Sequence, residues 1–457
     1  MSDRPNPYSR DPAAVLEPPT TLRGSLRFLG PGFVLSASIV GSGELIATTV
    51  LGAQAGFVTL WVILVSCLVK VTVQLEFGKH AINTGETTME AFNRLPGPRF
   101  GKARTHWTIW GWLIIMIVKL AQVGAIVGTV AVIAQMVVPA LPLWAWVFLT
   151  AVTVSLLVFR GYYSFIEGST LIMTGLFTVF TLASVVALQF TPLAFSFDDV
   201  VGGLRFHLPP ELVFVAAAAF GLTGVGGDEI MAYTYWLIEK GYASHVGPRD
   251  GSKAWERRAK GWIRVMYFDA LLSMCVYTIV TAAFYVLGAT VLYARGEIPE
   301  GSGLVAALAN MYTDTLGPWA ETVFLAGAFV VLFSTLFAAL AAWTRMFSDA
   351  FAKLGWFDYS DQKQRRRAIA IFSWFFPMAW GVAYLTFEAP QAMIKFGGVA
   401  TSIILVVVVF AALHFRYRRL EPRLKPTAAY DAALWVSAVA IVAIGLYGVV
   451  AVLGMGG

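Results

Sequence analysis

Charge is scarce in this chain. Only 13% of its 457 residues are Asp, Glu, Lys or Arg, where a soluble protein carries about a quarter, and 58% are hydrophobic. Cysteine is nearly absent. Cys67 and Cys275 both lie inside apolar runs, which excludes a disulfide framework or a cysteine metal knuckle and leaves packing roles. The apolar runs are continuous rather than alternating, which excludes a β-barrel. A Walker motif is missing, as is any other nucleotide-binding pattern, which argues against a primary pump. The sequence has no nucleophile–base pair or zinc motif to mark an enzyme. The five histidines (His80, His106, His207, His245, His414) fall near run ends or in polar loops, so a histidine proton relay at the centre is not expected.

What remains is apolar length. Mean hydropathy is +0.71. Runs of about 20 apolar residues recur throughout, each enough to cross a hydrocarbon core as a helix. The expectation is an all-α polytopic membrane protein. Its eleven spans are placed near 28–55, 57–78, 107–138, 142–159, 163–190, 211–238, 262–293, 318–344, 367–386, 390–415 and 430–454. Of the 33 Lys and Arg, only Arg205 and Arg295 fall in the loops on one side, and Lys70, Lys119 and Lys395 fall inside spans. The rest cluster in the N-terminal segment and the loops on the other side. That bias orients the chain with its N-terminus in the cytoplasm and its C-terminus outside, in the plasma (inner) membrane. The basic clusters face anionic lipid headgroups, so no nucleic-acid partner is implied. The first 27 residues are polar and proline-rich, without the apolar core of a signal peptide, and are expected to form a disordered cytoplasmic tail. The outer loops, with Asp198, Asp199, Glu297 and Glu300, read as ordinary solvated loops.

Two spans are interrupted. Gly41-Ser42-Gly43-Glu44 breaks the first apolar run, and Gly226-Gly227-Asp228-Glu229 breaks the sixth. Overlaid, GSGELIATT (41–49) and GGDEIMAYT (226–234) agree at Gly41/Gly226, Glu44/Glu229, Ala47/Ala232 and Thr49/Thr234. Paired breaks in two halves point to a transport site between inverted repeats. A break frees backbone groups, so it must face protein or a water-filled cavity. Each break also carries acid, and ionisable groups at membrane depth are costly and usually functional. Carboxylates with unwound carbonyls make a hard-oxygen site, suited to Mg, Ca or Mn or to a cationic organic group. The blander alternative is that Glu44, Asp228 and Glu229 cap half-helices. Lys119, near the middle of span three, requires a carboxylate partner, with Glu44, Asp228 and Glu229 the natural candidates. Lys70 is expected to pair with Glu76 or to snorkel, and Lys395 to snorkel. Asp269 and Glu167 fit either a cytoplasmic pathway or buried hydrogen bonding.

With these features in place, the chain resembles the Nramp family of divalent-metal transporters. The likeness runs through Gly30-Pro31-Gly32, Gly52-Ala53-Gln54-Ala55-Gly56, Leu60-Trp61-Val62, Thr84-Gly85-Glu86 and Met89-Glu90-Ala91. It continues at Gly128-Thr129 and at Arg160-Gly161-Tyr162 with Glu167. The resemblance implies a LeuT-type fold: inverted five-helix repeats over 28–190 and 191–415, with an eleventh span in 416–457. Spans one and six are then broken around the substrate.

The family's signature residues have changed. Its span-one Asp-Pro-Gly-Asn aligns with Gly41-Ser42-Gly43-Glu44, and its span-six Met-Pro-His-Asn aligns with Gly226-Gly227-Asp228-Glu229. Its acidic proton path aligns with Gln122, Ala125 and Ile115, with Lys119 among them. Loss of the thioether removes the ligand that favours transition metals over Mg and Ca. The three glycines Gly41, Gly226 and Gly227 are expected to enlarge the cavity.

The resulting expectation is a secondary transporter of a hard divalent cation, without proton coupling or with altered coupling. Its metal ligands are expected to be Glu44, Asp228 and Glu229, with backbone carbonyls near Val40 and Thr223. Gly41, Gly226, Gly227, Lys119 and Gln122 complete the substrate site. The alternative is a LeuT-fold carrier of a small organic solute, in which Lys119 stands in for a coupling cation. No cofactor, enzymatic activity or obligate protein partner is expected.

Overall fold

The computed structural model describes residues 6–9, 12–39, 41–160, 163–298 and 303–452. Val40, Gly161, Tyr162, Glu300 and the side chain of Glu167 lie outside the described residues.

Nine helices among the described residues are long and apolar enough to cross a bilayer. They form spans two (Leu60–Thr84), three (Trp107–Val137), four (Leu143–Arg160), six (Pro210–Glu239, through its break), seven (Lys253–Arg295), eight (Trp319–Lys353), nine (Gln362–Phe387), ten (Pro390–Arg419) and eleven (Ala428–Tyr447). Span five is the helix Tyr163–Leu188. Span one is divided into Pro31–Ile39 (span 1a), a π-helical turn Ser42–Thr48 and Thr49–Ala55 (span 1b). The eleven expected spans are therefore all present.

Local chemistry sets the helix ends. Span two stops at Gly85, whose left-handed φ of 73° a side chain would resist. Ser252 caps span seven by accepting the Trp255 N–H, and Asp361 caps span nine through the N–H groups of Lys363 and Gln364. Pro390 opens span ten at a position where its missing N–H costs nothing.

The broken spans lie inside the bundle. Span 1a packs on spans seven and eight and on the second half of span six (Gly227–Glu239, span 6b). The first half of span six (Val213–Leu222, span 6a) packs on spans two, ten and eleven and on the π turn of span one. Span three meets spans eight, nine and ten.

One end of the bundle is tied by charge. Glu86, just past span two, accepts from Arg419 at 2.8 Å and meets His80 Nε2 at 2.9 Å and Arg94 at 2.5 Å. Burial opposes its ionisation, but the His80 and Arg419 hydrogen bonds and charges outweigh that and hold its pKa at about 2. Glu90 binds Lys353 and Arg94. These contacts explain the Thr84-Gly85-Glu86 and Met89-Glu90-Ala91 stretches: they lock the ends of spans two, eight and ten together.

In the polar N-terminal segment, residues among the described 6–9 and 12–27 make specific contacts with the bundle. Tyr8 donates to Glu239 at 2.7 Å, and Asn6 accepts from Arg365 at 2.8 Å. The Leu16 N–H donates to the His245 carbonyl, and Trp262 Nε1 donates to the Leu16 carbonyl. The described residues, with Pro12 opening a short 3-10 turn (Pro12–Ala14), form an arm against the bundle end, where Glu239, Arg365 and Trp262 receive it. On the opposite side, Asp199 closes a capping box with Ser196, an ordinary structural use for an acidic loop residue.

Candidate functional site

The two interruptions match in sequence but differ in shape. Span one resumes at once: the Leu45 N–H bonds the Gly41 carbonyl at 2.8 Å, opening the π turn. Span six unwinds further. Thr223 is extended (φ −75°, ψ 143°), and Gly224 takes a left-handed φ of +64° before span 6b begins at Gly227.

The glycines admit neighbours rather than opening space, which corrects the expectation of an enlarged cavity. A Cβ at Gly41 would lie 1.9 Å from Thr335 Oγ1 of span eight. One at Gly227 would lie 2.6 Å from Ile404 Cγ2 of span ten, and one at Gly226 would lie 2.3 Å from the carboxylate of Glu229. Each would overlap atoms already in place. The side-chain volume lost from the motifs is taken up by spans eight and ten.

Two opposite charges brace the same end of the span-six break, where span 6a stops. Lys70 of span two is fully buried and directs its ammonium at the end of span 6a. It donates to the carbonyls of Phe220, Gly221 (3.3 Å) and Thr223 (2.8 Å), groups that a helix end leaves without partners. Ser66, one turn earlier, donates to the Phe220 and Thr223 carbonyls at 2.9 and 3.0 Å. Glu44 accepts the Gly224 N–H and the Thr281 hydroxyl, both at 3.2 Å, through Oε1. Its Oε2 has no hydrogen-bond partner among the described residues. Lys70 therefore does not pair with Glu76, which bonds Lys79 instead.

Lys119, Gln122, Asp228 and Glu229 do come together. They line a cavity of about 30 Å³ with Gly43, Thr335 and Trp343, among spans one, three, six and eight. The Lys119 ammonium bonds the Asp228 carboxylate, and both are buried. Gln122 Oε1 has no hydrogen-bond partner among the described residues. No side chain caps the Gly226 turn, so Asp228 and Glu229 sit in the first turn of span 6b without closing it. Glu44 and Thr223 are absent from this lining; they face the Lys70 side of the break. Among the described residues no three His, Cys, Asp or Glu side chains gather as a metal cluster. A second cavity of about 20 Å³ continues from Asp228 and Glu229 past Ala232 to Trp236.

Asp269 has a structural role that sequence reading left open. Its two oxygens accept the N–H groups of Gly30 (3.0 Å) and Gly32 (2.5 Å), capping span 1a from span seven. A Cβ at Gly32 would lie 2.6 Å from Ser273 Oγ, so Gly30-Pro31-Gly32 is the sequence trace of this cap. The Lys70 contact had a weaker signal: a lysine and a serine four residues apart on one face of an apolar helix.

Two interrupted spans enclosed by unbroken ones, with ionisable groups at the interruptions, define a polytopic membrane protein of the LeuT-type fold, two inverted five-helix repeats and an eleventh span. Solved structures share this architecture. The manganese transporter of Eremococcus coleocola superposes with a TM-score of 0.65 at 14% identity, covering 95% of this chain and 88% of that one. MhsT in complex with L-phenylalanine gives 0.56 at 15% identity, covering 94% and 99%. The family model for natural resistance-associated macrophage protein-like sequences (Nramp) matches residues 32–451. The chain belongs to the Nramp family. Its relatives include the divalent metal cation transporter MntH of Mycobacterium tuberculosis, 30% identical over 318 residues and 67% of each chain. An uncharacterized protein of Pasteurella multocida is 25% identical over 338 residues and 71% of each chain.

Proposed function

We propose that this protein is a secondary transporter that carries a hard divalent cation, of the Mg, Mn or Ca type, by alternating access. The observation that carries the reading is the central cavity. Its polar lining is dominated by oxygen donors, from Asp228, Glu229, Gln122 and Thr335. At about 30 Å³ it suits a bare ion or a water-sized group better than an organic molecule. Oxygen ligands favour hard cations, and glycine at position 226 leaves no thioether to select softer ones. The relatives named as a divalent metal cation transporter and a manganese transporter support the same class of cargo.

In this reading Asp228 and Glu229 are direct ligands, and Gln122 Oε1 is a third donor. The cation displaces the Lys119 ammonium from Asp228. Glu44 acts one step back, by holding Gly224 at the break. Thr223 contributes no carbonyl to the cargo, because Lys70 occupies it. Proton coupling is absent or rerouted, since Gln122, Ala125 and Ile115 stand on the family's acidic path. The repeats are 28–190 and 191–415, and the charge bias places the arm-bearing end in the cytoplasm of the inner membrane. From the cavity, the route inward follows span 6b past Trp236 to the Glu239–Arg345 ion pair, which Tyr8 seals. No protein partner is invoked.

A second reading, a small organic solute, rests on one observation: Lys119 already neutralises Asp228. Calorimetric titration with MgCl₂, CaCl₂ and MnCl₂ separates the two, with Glu229→Ala as control. Saturable heat lost in the variant supports the cation. Silence with all three salts, together with thermal stabilisation by an amino acid or another small solute, supports the second reading.

A further inference from the structure

Lys70 sits where a broken membrane helix would ordinarily receive an ion. In carriers with discontinuous helices, unwound carbonyls and half-helix C-terminal ends coordinate the coupling cation. Here the C-terminal end of span 6a presents the carbonyls of Phe220, Gly221 and Thr223 to one ammonium. An ammonium has three N–H groups, and three acceptors meet it. The Phe220 ring adds its face at 4.8 Å from the nitrogen. Ser66 and Thr223 place two hydroxyls in the same nest, 2.9 Å apart. The atoms that meet the ammonium are therefore cation-binding oxygens and an aromatic face, and the occupant is covalently attached.

We propose that Lys70 is a built-in monovalent cation, filling in cis a site at the end of span 6a that would otherwise take a small inorganic cation. The wild-type protein then needs no sodium, potassium or lithium to hold the break. Movement of its cargo is not tied to a monovalent gradient at this position. Shortening Lys70 leaves three carbonyls and two hydroxyls in a buried nest, which a small cation satisfies. The inference is independent of what the central cavity carries, because it concerns the opposite side of the break and a different class of ion.

The test is thermal unfolding of purified wild type and Lys70→Ala in NaCl, KCl, LiCl or choline chloride at one ionic strength. Wild type is expected to unfold at the same temperature in all four. Lys70→Ala is expected to be less stable in choline and to regain stability saturably with at least one small cation, as a ligand that binds only the folded state must produce. Ethylammonium, which replaces the missing ammonium, is expected to restore it as well. Adding Ser66→Ala to Lys70→Ala removes one ligand and should weaken the response several-fold. A Lys70→Ala protein that gains no more from any of these cations than from choline overturns the assignment. So does one that cannot be recovered folded in any of them, since a refilled site should restore it. A saturable sodium, potassium or lithium dependence of the wild type also overturns it, with no variant needed.

Discussion

Lys119 and Asp228, on spans three and six, form a buried ion pair across the break, with Glu229 beside them and Gln122 Oε1, which has no hydrogen-bond partner among the described residues. Removing one member of a buried pair strands the other charge, typically at a cost of about 3–5 kcal/mol, whereas removing both costs far less. Lys119→Met should therefore lower thermal stability sharply, and Lys119→Met with Asp228→Asn should recover most of it. Because the ammonium competes with the proposed cargo, Mg or Mn should stabilise Lys119→Met more than wild type. Equal stabilisation of both proteins would argue that the pair does not guard the site.

Gly41 is a contact position. Its alanine variant drives a methyl group into Thr335, moving span one away from span eight. Misplacement on the ångström scale at a site costs on the order of a hundredfold in rate. Gly41→Ala should reduce transport by about that factor while the protein remains folded, and should cost much less in a Thr335→Ala background, where the overlapping atoms are gone. Paired uptake assays on the single and double variants check this.

Asp269 caps span 1a through Gly30 and Gly32. Losing a helix cap costs about 0.5–2 kcal/mol. Asp269→Ala should speed amide exchange in residues 30–34 far more than in span seven itself. Exchange that rises equally in both spans would point to general unfolding instead.

Glu86 links stability to acid. Its carboxyl is held near pKa 2 in the folded chain, below its ordinary value of 4.5. The unfolded chain therefore takes up the proton first as pH falls. The stabilisation is complete above about pH 5 and is lost as pH drops toward 2. Glu86→Gln should be less stable at pH 7 by on the order of 2–3 kcal/mol and should show a flatter decline between pH 5 and 3. Melting curves across that range report both effects.

Much of this architecture was legible in the sequence, because membrane helices announce themselves by apolar length and charge bias. The breaks were legible through Gly41-Ser42-Gly43-Glu44 and Gly226-Gly227-Asp228-Glu229, since glycine and acid have few other reasons to interrupt such runs. A carboxylate partner for Lys119 followed from the cost of an unpaired ammonium at depth, while the choice of Asp228 over Glu44 and Glu229 did not. What glycine was for could not be read. A missing side chain looks like space until the neighbour that fills it is known, and Thr335 and Ile404 lie far along the chain from Gly41 and Gly227. Glu44, Asp228 and Glu229 looked alike in sequence, yet Glu44 faces Gly224 while the other two face the cavity. Helix rotation past a π turn decides that, and local pattern does not encode it. The N-terminal arm was hidden for a similar reason: its order comes from distant aromatic and charged partners, not from its own composition.

The most direct test is divalent-cation flux into proteoliposomes containing wild type or Glu229→Gln, which keeps the shape and removes the charge. Saturable uptake of at least one of Mg, Ca and Mn by the wild type is expected, with its loss in the folded variant. Uptake of none of these ions by the wild type, or undiminished uptake by Glu229→Gln, would contradict it.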